Sequence, residues 1–480
     1  MSHTPPNILL IVTDQQRGDC IGVDAQAPPC LSTPNLDDLA ATGARFSRAY
    51  SECPTCMPAR RTLYAGLAPA AQGMVGMTNL DFDPPAKLPA MLSAAGYQTE
   101  LIGKTHLEPA AARHGFDHMM LANGTRGDWG SCRYTEFLIR NGYDIHRPGV
   151  SHGVYANSWV GRPTNLPEEL THTYWCVTEA MDFLQHRDPT CPFFLNVGLI
   201  DPHPAFVPPA YCYERYARED LPPPPIGDWA AADRPDRHTR QIEAARIDLN
   251  PSDRRAMLAG YYGLITHIDN QVGRLLMFLR DRKLLDNTLV LFTSDHGEML
   301  GDHYRFQKAR PYEGSARIPL IVRPPKTWNL APTCPDAPVG LQDIMPTLLD
   351  AAGIDVPQHC TGKSLLPLVR GEKKPPRDIL HGEHTDQYGH NEGMHYLTDG
   401  RHKYIWYTHD GVEQFFDLTD DPRECHDLSD SADLRPWRDR LMKILDGRPE
   451  GFTDGKRLIP GCPYDKIIST YQPGVALAFE

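Results

Sequence analysis

Four short apolar runs in this chain each end in a cluster of reactive side chains. Ile8–Val12 leads into Asp14 and Gln15, Thr99–Ile102 into Gly103, Lys104, Thr105 and His106, Phe193–Leu199 into Asp201, Pro202 and His203, and Leu289–Phe292 into Ser294, Asp295, His296 and Gly297. Short, mostly apolar runs of this kind read as strands, and in an open, mostly parallel sheet ligands bind beyond the carboxyl ends of the strands. Helical stretches between the runs support parallel strands. The clearest carries Leu258, Tyr261, Ile265, Ile268, Val272, Leu275 and Leu279 at spacings of three and four, which gives one continuous apolar face. The pattern predicts an α/β fold: a mostly parallel sheet flanked by helices, with chemistry gathered at one edge.

At 480 residues the chain exceeds the size at which single cores split, roughly 250–300 residues. We expect a catalytic domain over 1–375 and a smaller α+β domain over 376–480. The boundary falls near Gly371–Arg377, where charge and proline replace apolar periodicity. Beyond it, Met394–Leu397, His402–Tyr407 and Val412–Leu418 alternate as short strands do, with Asp-Gly turns at 399–400 and 410–411, so a small antiparallel sheet is expected. Proline-rich stretches at Pro202–Pro225 and around Pro235–His238 break helix and strand alike and are expected as long loops or lids near His203.

With 41% apolar and 23% charged residues the chain is far from the disordered regime. A net charge of −13 disfavours non-specific attraction to nucleic acid or anionic membranes, although a local basic pocket can still hold an anion. The run Asn7–Val12 is too short, and lacks the basic flank, for a signal peptide or membrane span; the expected compartment is therefore the cytoplasm, with the twelve cysteines mostly reduced. Nothing in the sequence sets an oligomeric state.

Asp14 with Gln15 and Asp295 with His296 bring oxygen and nitrogen ligands to two strand ends, as a divalent cation needs. The plainer alternative is a pair of helix caps. The segment Cys53-Pro-Thr-Cys-Met-Pro-Ala-Arg60 admits a CxxC redox or zinc pair, which the lack of a second CxxC disfavours, or two buried cysteines before a helix. In a third reading, Cys56-Met-Pro-Ala-Arg60 with Leu63 and Gly66 resembles the type I sulfatase signature Cys-x-Pro-Ser/Ala-Arg. Further blocks resemble that family in the same order: Thr33–Ala40, Gly103–His106, Thr293–Glu298, and Lys308–Glu313 leading to Arg317-Ile-Pro319. The resemblance runs strongly over about 7–325 and more weakly through Phe415–Pro422.

That resemblance implies an alkaline-phosphatase-like α/β fold with a small C-terminal antiparallel sheet. It implies an enzyme cleaving an aryl or carbohydrate sulfate ester to alcohol and inorganic sulfate. Cys56 would be oxidised by a formylglycine-generating enzyme to formylglycine, whose hydrate attacks sulfur with one hydroxyl and expels sulfate through the other. Asp14, Gln15, Asp295 and His296 would hold one divalent metal ion, calcium first, with magnesium, manganese or zinc also fitting. Arg60 would hold the formylglycine, Lys104 and Lys308 would neutralise the sulfate oxygens, and His106 and His203 would move protons, with His203 and Lys308 serving the leaving group.

Many family members have a second Asp where this chain has Gln15, and Asn where it has His296, so the cation site is less anionic and softer here. A Gln/His pair also occurs in the related phosphonate monoester and phosphodiester hydrolases, which makes phosphoryl hydrolysis the runner-up; Lys104 and His106, typically replaced by neutral residues in those relatives, argue against it. A non-catalytic binding protein of the same fold is a third reading, but nothing the chemistry needs is missing. For substrate choice, Arg126, Trp129, Arg133, Arg140, His146 and Arg147 lie in an insertion, and His384, Tyr388, His390 and His395 lie further on. Most of these are expected on a solvated surface. Convergence of several at the pocket mouth would suit a polar or anionic sulfated sugar, and stacking on Trp129 an aryl or carbohydrate ring.

Overall fold

The computed structural model describes residues 5–122, 132–143, 157–231, 247–387 and 391–468. The main sheet comprises β1 (Asn7–Thr13), β2 (Ala44–Arg45), β4 (Gln98–Gly103), β5 (His118–Leu121), β6 (Phe193–Gly198), β7 (Thr288–Ser294) and β8 (Leu320–Arg323), in the order β2-β8-β7-β1-β6-β4-β5. β3 (Ala49–Tyr50) and β9 (Val339–Gly340) pair separately. All four apolar runs named above are strands, and they are neighbours. β1 pairs in parallel with β6 on one side and β7 on the other, β4 pairs in parallel with β6, and β8 runs antiparallel to β7.

β1 has no polar face because both sides of the sheet are covered. Ile8, Leu10 and Val12 pack on one side with Leu63 and Leu348, while Leu9 and Ile11 pack on the other with Trp175 and Ile268. Each such side chain stabilises the fold by about 1.5–3 kcal/mol, so truncating Leu10 to Ala at the centre of β1 would cost about 2–5 kcal/mol. The register pairs Val12 with Thr293 and Thr13 with Ser294, so Asp14 and Asp295 leave the sheet side by side.

The periodic stretch is one helix, Pro251–Asp281, 31 residues long. Asn250 caps it by accepting from the backbone N–H groups of Ser252 and Asp253, and Pro251 occupies the first position, where no N–H is needed. Its Ile268, Val272, Leu275 and Leu279 cover the sheet, while its first half packs on Phe206, Leu300 and Phe306. The loop expected over Pro202–Pro225 is not loop throughout: Ala210–Ala217 is helical, because Cys212 and Tyr216 recur one turn apart and are both buried. The stretch around Pro235–His238 lies outside the described residues.

A second sheet of β10 (Leu380–His384), β11 (Met394–Thr398), β12 (His402–Tyr407) and β13 (Glu413–Asp417) is antiparallel throughout. Gly400 and Gly411 turn the chain at φ of 89° and 76°, a conformation only glycine adopts without strain. The helix Arg435–Leu445 covers one face through Trp437, Leu441 and Leu445. The other face, Tyr396, Ile405 and Phe416, packs against Tyr50, Met299 and Tyr312. Lys403 is buried in this seam and donates to Glu313 at 2.7 Å and Glu424 at 2.8 Å. No described helix is long and apolar enough to cross a membrane.

Candidate active site

Cys56 is the first residue of the helix Cys56–Ala65, every residue of which is buried. Pro58 is tolerated because it falls in the first turn, and Gly66 ends the helix in a left-handed cap at φ 65°. Four residues on, Arg60 lies on the same helix face as Cys56. The unpaired N–H groups and dipole at this terminus favour negative charge at Cys56 and in front of it. The approach to the helix is tied on several sides. Ser51 N–H donates to Ala316 O at 2.8 Å, Tyr396 Oη–H to Ser51 O at 2.8 Å, Glu383 N–H to Glu52 O at 2.7 Å, and Ala309 N–H to Pro54 O at 2.8 Å. His384 Nδ1 faces the Thr385 carbonyl, which can only accept; Nε2 therefore accepts from Thr55 Oγ1 at 2.9 Å.

Around Cys56 the strand ends converge. Lys308 Nζ lies 3.0 Å from Cys56 Sγ, 3.1 Å from Gln15 Oε1 and 3.2 Å from His203 Nε2. His296 Nε2 is 3.2 Å from Cys56 Sγ, and Asp14 Oδ1 is 3.6 Å from the same sulfur. Arg60 Nε donates to Asp295 Oδ2 at 2.7 Å, Arg60 NH1 donates to the Lys104 carbonyl at 2.9 Å, and Lys104 Nζ pairs with Asp14. His106 is hydrogen-bonded to Cys56. Gln15 takes a left-handed backbone at φ 72°, held by Tyr261 of the long helix, whose hydroxyl donates to Gln15 O at 2.8 Å and accepts from Arg17 N–H at 3.0 Å. His106 and His203 are the most exposed of these side chains.

Burial and the Asp14 carboxylate push the Cys56 thiol up, yet Lys308, Lys104 and His296 outweigh them and hold it well below the ordinary thiol range. Burial likewise opposes ionisation of Asp14, but Lys104, His203, Lys308 and Arg60 hold it well below the usual carboxylate range. Asp295 is raised, by burial and by Asp14 beside it. Burial and then Lys308 lower His203 to about 3, so at neutral pH it is an uncharged ring. Its Nδ1 donates to the Pro204 carbonyl at 2.8 Å, which leaves the Nε2 lone pair facing Lys308. His106 is lowered by burial and then by Lys104.

One ligand atom each from Asp14, Cys56, Asp295 and His296 lies within 4.8 Å of the others, and all four residues are buried. His296 Nδ1 donates to Gly297 O at 2.9 Å, so Nε2 is the nitrogen that faces the carboxylates. Burial pulls this ring down, but Asp295 and Cys56 prevail and make Nε2 basic. Two carboxylates and a basic imidazole nitrogen gathered this closely fit a divalent cation, and Gln15 Oε1, on Lys308 Nζ beside Cys56, is a further oxygen donor at the cluster. Helix capping, the plainer reading of the two aspartates, does not describe them: Asp14 and Asp295 turn their carboxylates to Lys104 and Arg60.

All ten residues singled out from the sequence thus meet at one edge of the sheet. The specificity candidates among the described residues do not. Arg133 and Arg140 flank Glu136 on an exposed helix face at 3.0 and 3.9 Å, as the solvated-surface expectation has it. His384 and His395 depart from both expectations, since each is 0% exposed: His384 abuts Thr55, and His395 is stacked between Trp406 and Tyr464. Arg126, Trp129, His146, Arg147, Tyr388 and His390 lie outside the described residues. Residues that sequence reasoning passed over are Tyr261, read only as part of an apolar face, Thr55, and Glu298, which stands inside a quoted block and hydrogen-bonds Gln15.

Comparison with known proteins agrees with this architecture. The family model described as Sulfatase matches residues 6–354, and that of the N-sulphoglucosamine sulphohydrolase C-terminal region matches 301–449. An arylsulfatase of Clostridium perfringens is 38% identical, over 96% of this chain and 99% of the relative. The multifunctional alkaline phosphatase superfamily protein PehA of Trinickia caryophylli is 32% identical, over 93% and 95%. The crystal structure of a phosphonate monoester hydrolase of Agrobacterium radiobacter superposes with a TM-score of 0.76 at 26% identity, covering 92% of this chain and 94% of that one.

Proposed function

Because the chain belongs to the sulfatase family of the alkaline phosphatase superfamily, and is a hydrolase of sulfate esters by that membership, we propose that it cleaves an aryl or carbohydrate sulfate monoester at Cys56 after that residue is oxidised to formylglycine. One observation carries the proposal: Cys56, Asp14, Asp295 and His296 offer ligand atoms within 4.8 Å of one another, with Lys308 Nζ 3.0 Å from the sulfur. Held by Asp14, Gln15, Asp295 and His296, a divalent cation would act as a Lewis acid and lower the pKa of a hydroxyl at this point. The hydrated aldehyde would provide two hydroxyls in place of one thiol.

The remaining work falls to side chains in fixed positions. Arg60, Lys104 and Lys308 face two carboxylates, so the pocket is cationic even before a metal is counted and suits a singly charged ester. His106, lowered by burial and bonded at Cys56, is the base for the second hydroxyl. Lys308, donating to the neutral His203, is the proton source for the departing alcohol or phenol.

A second reading, hydrolysis of phosphonate monoesters or phosphodiesters, is favoured by Gln15 and His296 and by the likeness to a phosphonate monoester hydrolase. Such esters also carry one charge, so electrostatics does not separate the two; retention of Lys104 and His106 favours sulfate. The test compares aryl sulfates, sulfated sugars, phenyl phosphonates and phosphodiesters, with protein made with and without a formylglycine-generating enzyme. Turnover is expected to appear on conversion and to be greatest on sulfates. A preference for phosphonates would install the second reading, and equal rates with and without conversion would remove formylglycine.

A further inference from the structure

Gln15 presents a difficulty that an aspartate in its place would not. Either end of a carboxylate can bind a cation, whereas a primary amide has an oxygen end that binds and an NH2 end that repels, and the two ends have the same shape. Something must decide which end faces inward.

Glu298 is placed to do so. It is 1% exposed and lies two residues beyond His296. Its Oε1 accepts the backbone N–H of Leu300 at 3.0 Å and that of Gln307, and its Oε2 accepts from Gln15 Nε2. With two backbone donors on one oxygen, the carboxylate is anchored in rotation, and its free oxygen can only accept. The amide of Gln15 must therefore turn its NH2 to Glu298 and its Oε1 the other way, where Lys308 Nζ meets it at 3.1 Å beside Cys56. We infer that Glu298 is a positioning residue which polarises Gln15, fixing the amide oxygen toward the cation. The inference rests on reading the cluster as a divalent-cation site.

Glu298→Gln makes the test a matter of polarity and not of shape. The new amide keeps its oxygen on Leu300 and Gln307, so its NH2 faces Gln15, which must flip and turn its own NH2 into the cluster. The paired change Gln15→Glu with Glu298→Gln reverses the bond and leaves a carboxylate oxygen pointing inward. Converted full-length protein is stripped with chelator and titrated with Mn2+ and with Ca2+ by calorimetry. Glu298→Gln is expected to weaken binding by about 10- to 100-fold, the usual cost of losing a partner behind a metal ligand, and the double variant to recover to within a few-fold of the native protein. Unchanged binding in Glu298→Gln, or a double variant as weak as the single, overturns the inference alone, since a merely structural role for Glu298 would give one of these. Failure of the native protein to bind either ion overturns the cation site and the inference together.

Discussion

Lys308→Met keeps most of the methylene stem and removes only the charged end, so its effect reports on what the ammonium does. In the native protein this Nζ is within 3.0–3.2 Å of Cys56 Sγ, Gln15 Oε1 and His203 Nε2, and the side chain is 7% exposed. A unit charge about 4 Å from a developing oxyanion is worth about 4 kcal/mol at an effective dielectric near 20. That corresponds to roughly a thousandfold in rate, inside the range of about 10²–10⁴ typical of a positioned general acid. The two roles, charge and proton, separate by leaving group. His203, lowered to about 3, is neutral at neutral pH and its one ring proton is held on the Pro204 carbonyl, so in the proposed mechanism the proton comes from Lys308. The variant should lose about 10³-fold in kcat on a phenyl sulfate, whose leaving group needs protonation, and at least tenfold less on 4-nitrophenyl sulfate, whose leaving group does not. Initial rates across a graded series of aryl sulfates measure this as a steeper dependence on leaving-group pKa. An equal loss along the series would reduce Lys308 to a fixed charge, and a loss below tenfold throughout would remove it from the chemistry.

Chelation should abolish turnover and lower the melting temperature, and added metal at about a hundred times its Kd should return about 2.7 kcal/mol of stability; a melting curve indifferent to metal would count against the cation site. Gly103→Ala should destabilise the fold by more than about 2 kcal/mol in urea unfolding, because Gly103 has φ 100° and a Cβ there would sit 2.0 Å from Gly198 O; native-like stability would show that β4 and β6 can part. Burial lowers His384 to about 4. An unfolded chain then takes a proton that the folded one refuses, so this contribution to stability is whole above pH about 6.5 and declines as pH falls toward 4, by up to about 1.4 kcal/mol per pH unit. Urea midpoints of native protein and His384→Gln should therefore converge as pH drops from 7 to 5, and parallel curves would refute the assignment.

The catalytic edge was legible because each strand is a compact apolar run and each reactive cluster follows one directly, so sequence adjacency stands in for spatial adjacency. What escaped notice depends on contacts without any local signature. Gln15 and Glu298 meet across 283 positions, and Thr55 meets His384 across 329. β10 was missed because Leu380-His-Gly-Glu-His384 has no apolar alternation: its His384 and Glu383 are buried through hydrogen bonds and an ion pair with Arg448, not through hydrophobicity. The same mechanism misplaced His395, a polar residue whose ring is buried by stacking. The helix Ala210–Ala217 was hidden by the prolines on either side of it.

The tethers on Ser51–Thr55 bear on the order in which a newly made chain becomes competent. β1, the Cys56 helix and β4 emerge from the ribosome early, but the hydrogen bonds that align the peptide ahead of Cys56 come from Ala309, Glu383, His384 and Tyr396. A chain that ends before residue 309 therefore carries Cys56 without the hydrogen bonds that align the peptide ahead of it. The frame around Cys56 is complete only once the second sheet is in place, so the chain's C-terminal part supports chemistry begun near its N-terminus.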